Sequence, residues 1–407
     1  MNKMEIIEDP HFNEFINSRP IRDSTKKQYT LRIKDYCNFL NKTPTELIEE
    51  AEKEEDEKIR QKKRKIKRYF SEYHQKLIDE QKSPNYVKAT IMTIRTFYAE
   101  FEIELPKNRI KQITQKRIIT TDDIVGKEHI LRALEHCNIR YKAIILLMSS
   151  SGMGRAEIIN LTYNDFLDSI SEYYKPIEKE QFDIFTLLKN LEEDINDIIP
   201  VWQIKRHKTN MPFVTFSSPE SIQAIFYYLL NRIKQNKPIK SLNDSLFESE
   251  GHQIEESSVV KYFAKLNDAC DFGFVGPHRF FTSHKLRKYF ASTLNTKNVP
   301  EISTHWMLGH SIDKVTDAYF KLDIHALKEQ YKRVVEDLSI EKVITREINT
   351  EEYEYLVQEL QKVREESAEE KANILETVDK KFGWFYKALE KDEKLRKIVE
   401  PYMPDNK

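Results

Sequence analysis

Residues 283–320 read SHKLRKYFASTLNTKNVPEISTHWMLGHSIDKVTDAYF, and no other stretch of the chain gathers as much reactive chemistry. His284 and Arg287 stand three apart at the start of a helical run, a spacing that puts both on one face. Leu308-Gly309-His310 closes on a glycine turn, and Tyr319 follows nine residues after His310. Taken singly, such a pair is an ordinary surface feature and such a tyrosine an ordinary packed aromatic. Their order and spacing carry the information. Upstream lies the clearest strand signal in the chain, Val201-Trp202-Gln203-Ile204 and Phe213-Val214-Thr215-Phe216, which reads as a hairpin with a basic tip over 205–210.

Together these elements resemble the tyrosine recombinase, or phage integrase, family. Its signature is His-x-x-Arg, then Leu-Gly-His, then a nucleophilic tyrosine, matched here by His284 and Arg287, by Leu308-Gly309-His310 and by Tyr319. The family also carries a lysine on a β-hairpin; Lys208-Thr209 occupies that place, with Lys205 as its rival. The likeness covers roughly residues 120–330. One element departs from the pattern. The family's first arginine stands in Thr-Gly-x-Arg, with an acid three positions on, whereas Ser151-Gly152-Met153-Gly154-Arg155 puts Gly154 in the arginine's place and Arg155 only two before Glu157. One helical residue is about 100° of rotation. The two glycines can absorb that shift, so Arg155 is taken as the first arginine.

The rest of the chain fits around this region. With 8 glycines in 407 residues, tight turns are few and helices long. The expected fold is mainly α with a small β-hairpin or sheet, an α+β catalytic domain within a two-domain, DNA-clamping recombinase architecture. In the first hundred residues Tyr29, Ile33, Tyr36, Cys37 and Leu40 share one helical stripe, and Val87, Ile91, Ile94, Phe97 and Tyr98 another. Residues 1–105 are therefore expected to form a helical bundle, which in architecture resembles the family's core-binding (SAM-like) domain. Residues 106–121 read as a basic linker, 122–340 as the catalytic domain and 341–407 as a helical C-terminal extension. Within the catalytic domain, residues 167–200 look like a helical, acidic excursion, and helices are expected from Pro219 to about Ser339 except over the loop 273–282.

Composition excludes several classes. The charged fraction is 33%, and the longest apolar run, Ile144 to Met148, is far short of the roughly 20 residues a bilayer requires. No apolar signal segment opens the sequence, so a cytoplasmic protein is expected. Cys37, Cys137 and Cys270 lie too far apart in sequence to suggest a disulfide framework or a zinc site. The net charge of −1 argues against a uniformly basic DNA-coating protein, yet the charges are segregated: 341–407 carries −4, while Lys62–Arg68 packs six positive charges into seven residues. Lys63 and Arg64 there, with Lys205, Arg206 and Lys285 near the motifs, are candidate DNA contacts.

The resemblance implies a metal- and cofactor-free phosphoryl transfer. Arg155 and Arg287 would hold the phosphate's non-bridging oxygens, for which planar guanidinium forks are suited. Lys208 would protonate the departing 5′ oxygen, and His284 and His310 would complete the clamp, one helping to accept the tyrosine proton. Tyr319 would form a covalent 3′-phosphotyrosine link. The implied partners are double-stranded DNA attachment sites, a homotetramer at synapsis and accessory DNA-bending proteins, with no membrane. The implied activity is integration or excision of a mobile or viral element. A topoisomerase IB-like nicking-closing enzyme and a DNA-binding regulator that no longer cuts are the alternatives.

Overall fold

The computed structural model describes residues 6–105, 123–177, 180–191, 195–310 and 323–340. The chain divides into two compact units, 1–118 and 119–407. Tyr319, the basic linker and the C-terminal extension fall outside the described residues.

In the first unit, five helices pack around one aromatic-rich core: α1 (Pro10–Asn17), α2 (Asp23–Leu40), α3 (Pro44–Asp56), α4 (Lys65–Asp79) and α5 (Pro84–Glu100). Three of them begin with proline, whose fixed φ suits the first helical turn and whose missing N–H costs nothing there. Thr43 and Glu46 form a reciprocal capping box on α3. Asp9, fully buried, accepts from the Phe12 and Thr45 amides and so ties the starts of α1 and α3 together. From the two stripes read in the sequence, Ile33, Tyr36, Cys37, Val87, Ile91, Ile94, Phe97 and Tyr98 are buried, while Tyr29 and Leu40 pack at the edge.

The second unit is built on α7 (Ile139–Ser151), which is buried along most of its length and packs against α11 (Pro219–Lys234) and α13 (Ser283–Thr296). Around this centre lie α6 (Lys127–Glu135), α8 (Arg155–Ile159), α9 (Tyr163–Ser169), α10 (Ile184–Leu191), α12 (Glu256–Ala269) and α14 (Glu301–Met307). Strands β1 (Val201–Lys205) and β2 (Pro212–Phe216) pair antiparallel, with Val201 opposite Phe216 and Lys205 opposite Pro212, one residue longer on each arm than the sequence reading. Trp202 is fully buried, and its indole N–H donates to Ser217 at 3.0 Å. The Thr215 hydroxyl donates to the Ser151 carbonyl at 2.7 Å and anchors the hairpin to the end of α7.

The helical stretch expected after Pro219 is less continuous than its composition suggested. Besides the 273–282 segment, residues between α11 and α12 leave the helix and form a two-stranded pair, Glu248–Ser249 with His252–Gln253. Asn236, Glu250 and Gly251 all take positive φ there, a conformation no helix sustains. The 273–282 segment itself holds a second small pair, Phe274–Val275 with His278–Arg279. No described helix is long and apolar enough to cross a membrane.

Candidate active site

Three elements meet where the hairpin tip, the start of α13 and the turn after α14 converge. Arg287 lies on the second turn of α13 and is 8% exposed. Its Nη1 donates to the Gly152 carbonyl at 2.6 Å and its Nη2 to the Leu308 carbonyl. Burial, followed by the nearby positive charge of Arg206, pulls its pKa down to about 10, while Glu157 opposes the shift. A guanidinium held this way stays protonated at neutral pH but gains from any anion that approaches.

Two glycines make these carbonyls reachable. Gly152 ends α7 at φ +68°, where an added Cβ would collide with the Phe290 ring. Gly309 follows α14 at φ +62°, where a Cβ would stand 2.7 Å from Phe213 Cγ of β2. Each turn therefore requires both the left-handed backbone and the missing side chain.

His284 and His310 flank Arg287 in sequence and in charge. Desolvation lowers the pKa of His284, and the cations Lys288, Arg287, Arg155 and Lys285 lower it further. His310 keeps an exposed face, yet desolvation followed by Arg287, His305 and Arg206 brings it to about 4. Its ring lies 5.3 Å from that of His305, and its amide donates to the His305 carbonyl at 3.0 Å. At neutral pH His310 is an uncharged imidazole able to accept a proton.

Arg155 opens α8. Its Nε and Nη2 donate to Glu256 Oε1 at 3.1 and 3.0 Å, and its Nη1 reaches the Ser283 hydroxyl at 3.3 Å. It therefore stands on the Ser283–His284 side of the cleft, with much of its fork committed to a carboxylate. Lys208 is exposed at the hairpin tip and makes no hydrogen bond or ion pair with another described residue. Lys205 points outward from β1 and is likewise exposed.

The candidate DNA contacts divide. Lys63 is exposed at the end of a short 3-10 turn, Gln61–Lys63. Arg64 is turned inward instead, donating to the Ile59 carbonyl at 3.0 Å and pairing with Glu55. Lys285 donates to the Asp123 carbonyl at 2.5 Å and lies over the Phe280 ring. Arg206 departs furthest from its reading as a surface contact. Its side chain is 19% exposed, with Nη1 donating to the Leu308 carbonyl at 2.8 Å and Nε 3.8 Å from Glu157 Oε1. Strand alternation held the signal: Trp202 and Ile204 point in, Gln203 and Lys205 point out, and Arg206 continues the inward face. Glu157, noted in the sequence only for its spacing, also accepts from the His207 amide at 3.2 Å and so fastens the hairpin tip to α8.

Arg287, Arg206 and His310 thus meet around the Leu308 turn, with Arg155 and His284 at the start of α13 and Lys208 exposed on the hairpin tip. The phage integrase family model matches residues 119–325, and the chain belongs to that family, the DNA-cleaving tyrosine site-specific recombinases. No curated protein matches the sequence. Among solved structures, the chain is similar to a lambda integrase dimer bound to a core site, at 16% identity and a TM-score of 0.49, over 77% of this chain and 96% of that one. It is also similar to the Tn1549 transposon integrase in complex with circular intermediate DNA, at 13% identity and 0.46, over 78% and 96%. For XerA recombinase the values are 18% and 0.35, over 79% and 97%.

Proposed function

We propose that this protein cleaves and rejoins DNA at specific attachment sites through a covalent 3′-phosphotyrosine at Tyr319, in the integration or excision of a mobile or viral element. The observation that carries the reading is that Arg287, fixed on the Gly152 and Leu308 carbonyls, stands near enough to His284 and His310 to lower the proton affinity of both beyond what burial does. The start of α13 adds to it. His284, Lys285, Arg287 and Lys288 crowd the positive end of a helix whose first turn holds no acid, an arrangement that an incoming anion relieves.

In the proposed step, the Tyr319 oxygen attacks phosphorus, the P–O5′ bond breaks, and the bond's energy is kept in the new phosphotyrosine link. The tyrosine proton passes to His310 or His284, whose proton affinity an incoming phosphate raises by offsetting the surrounding cations. The departing 5′ oxygen takes a proton from Lys208, which the hairpin tip leaves open to substrate. Arg287 grips a non-bridging oxygen, and Arg155 serves the Ser283 side of the same cleft. Two such sites brought together, with four protomers at synapsis, complete strand exchange on this reading.

The test is a pool of nicked duplexes with randomised flanks, in which cleavage traps protein on DNA because the short strand diffuses away. The expected result is a denaturant-resistant adduct that disappears in Tyr319→Phe. Binding without adduct throughout the pool would instead support a DNA-binding regulator, the reading that Gly154 in the first arginine's place favours. Adduct and relaxation of supercoils without exchange between two sites would support a nicking-closing enzyme.

A further inference from the structure

We infer that Arg206, carried on the β1–β2 hairpin, supplies the second guanidinium at the reacting phosphate and stands in for the arginine that Gly154 lacks. The inference rests on the proposed DNA cleavage.

Three observations converge on it. First, Arg206 and Arg287 both donate to one acceptor, the Leu308 carbonyl, so two like-charged forks are held side by side. Arg206 is the largest electrostatic cause of the lowered Arg287 pKa, and Arg155 is absent from the causes acting there. Second, Glu157 backs Arg206 from below, with Oε1 3.8 Å from its Nε. That same carboxylate lies against the position a side chain at 154 would start from. An arginine on α8 and an arginine on the hairpin would therefore compete for one acid and one space; here the hairpin fills it. Third, Arg155 is committed elsewhere, its Nε and Nη2 both donating to Glu256 Oε1 on the Ser283 side.

Chemistry favours the arrangement. Holding two guanidiniums together is costly without an anion between or above them, and a phosphodiester gaining negative charge in its transition state is such an anion. Nη1 and Nε of Arg206 face Leu308 and Glu157, which leaves Nη2 without a partner among the described residues. That donor is free to meet a non-bridging oxygen beside Arg287. The tether through Glu157 and the His207 amide also sets the hairpin tip, and with it Lys208, in register with the same phosphate.

The experiment uses the full chain and the randomised nicked duplexes. Adduct from wild type and none from Tyr319→Phe establishes the cleavage on which the inference depends; no adduct from wild type overturns both. With cleavage established, Arg206→Ala is expected to slow adduct formation by about 100-fold or more, the order seen when one charge-stabilising donor is removed. Arg206→Lys, which keeps charge but loses the fork, is expected to fall between the two. The deciding variant is Arg206→Ala combined with Gly154→Arg, which returns a guanidinium to Glu157 from the α8 side and is expected to recover the rate to within about tenfold of wild type. A purely structural role for Arg206 in the hairpin would not be rescued from another element. Wild-type rates in Arg206→Ala, failure of the double variant to recover, or a greater loss in Arg155→Ala than in Arg206→Ala each overturns the inference while leaving the cleavage reading intact.

Discussion

Glu157 shows how much of the site depends on a single buried acid. Its side chain is 5% exposed, accepts from the His207 amide and lies near the Arg206 guanidinium. Glu157→Gln keeps the size and the amide contact but removes the charge that offsets Arg206 and Arg287. Loss of a buried counter-ion leaves its partners uncompensated, so a destabilisation of about 1–3 kcal/mol is expected. Chemical denaturation measures it, and an unchanged midpoint would mean that the two arginines are solvated rather than paired. His310 makes a prediction of the opposite kind. Its folded pKa lies at about 4, while an unfolded histidine titrates at about 6.5. Between those values the unfolded chain holds more protons than the folded one, so stability from this group is full above pH 6.5 and falls as pH drops toward 4. Its capacity to accept a proton survives over that window. In His310→Gln the acid-side slope of stability between about pH 6.5 and 4 should therefore flatten, as thermal melts across that range would register. If the slope is unchanged, another group causes it.

At the scale of elements, Gly309 couples the hairpin to the turn that presents His310. An alanine there would combine a φ of +62° with a Cβ only 2.7 Å from the Phe213 ring. The left-handed backbone alone costs about 1–2 kcal/mol, and the contact adds to it by pushing β2 away from α14. Gly309→Ala is expected to lower the melting temperature by several degrees and to slow cleavage more than it weakens DNA binding, since Lys63 and other outlying cations are untouched. Equal losses of binding and cleavage would count against this coupling. Much of this geometry could be read in advance. Two short β-prone runs around a polar tip gave the hairpin, three-and-four spacing gave α5 and the buried face of α2, and Leu308-Gly309-His310 gave the turn. What stayed hidden is long-range. That Arg206 and Arg287 share one carbonyl depends on β2 packing against α14, a contact between segments about 90 residues apart. Arg206, a candidate DNA contact in the sequence, is drawn inward instead, as alternation from Ile204 already implies.

For the whole molecule, the chain divides into two compact units, 1–118 and 119–407. Local patterns suffice for that, because each unit buries its own apolar stripes. Charge is a property of the entire chain and gives the last expectation. The segment 341–407 carries −4, so its removal takes the net charge from −1 to +3 and changes none of the candidate site residues. Phosphate neutralisation governs non-specific DNA affinity and is screened by salt. The truncated chain is therefore expected to bind random-sequence duplex several-fold more tightly at about 50 mM salt, with the difference vanishing at about 0.5 M, where the screening length is only a few ångströms. Fluorescence anisotropy over a salt series reads both ends of that comparison. An advantage that persists at high salt would mean the segment acts by occupying or reshaping the DNA-binding surface, and equal affinities at low salt would mean its charge is kept away from the path of the duplex.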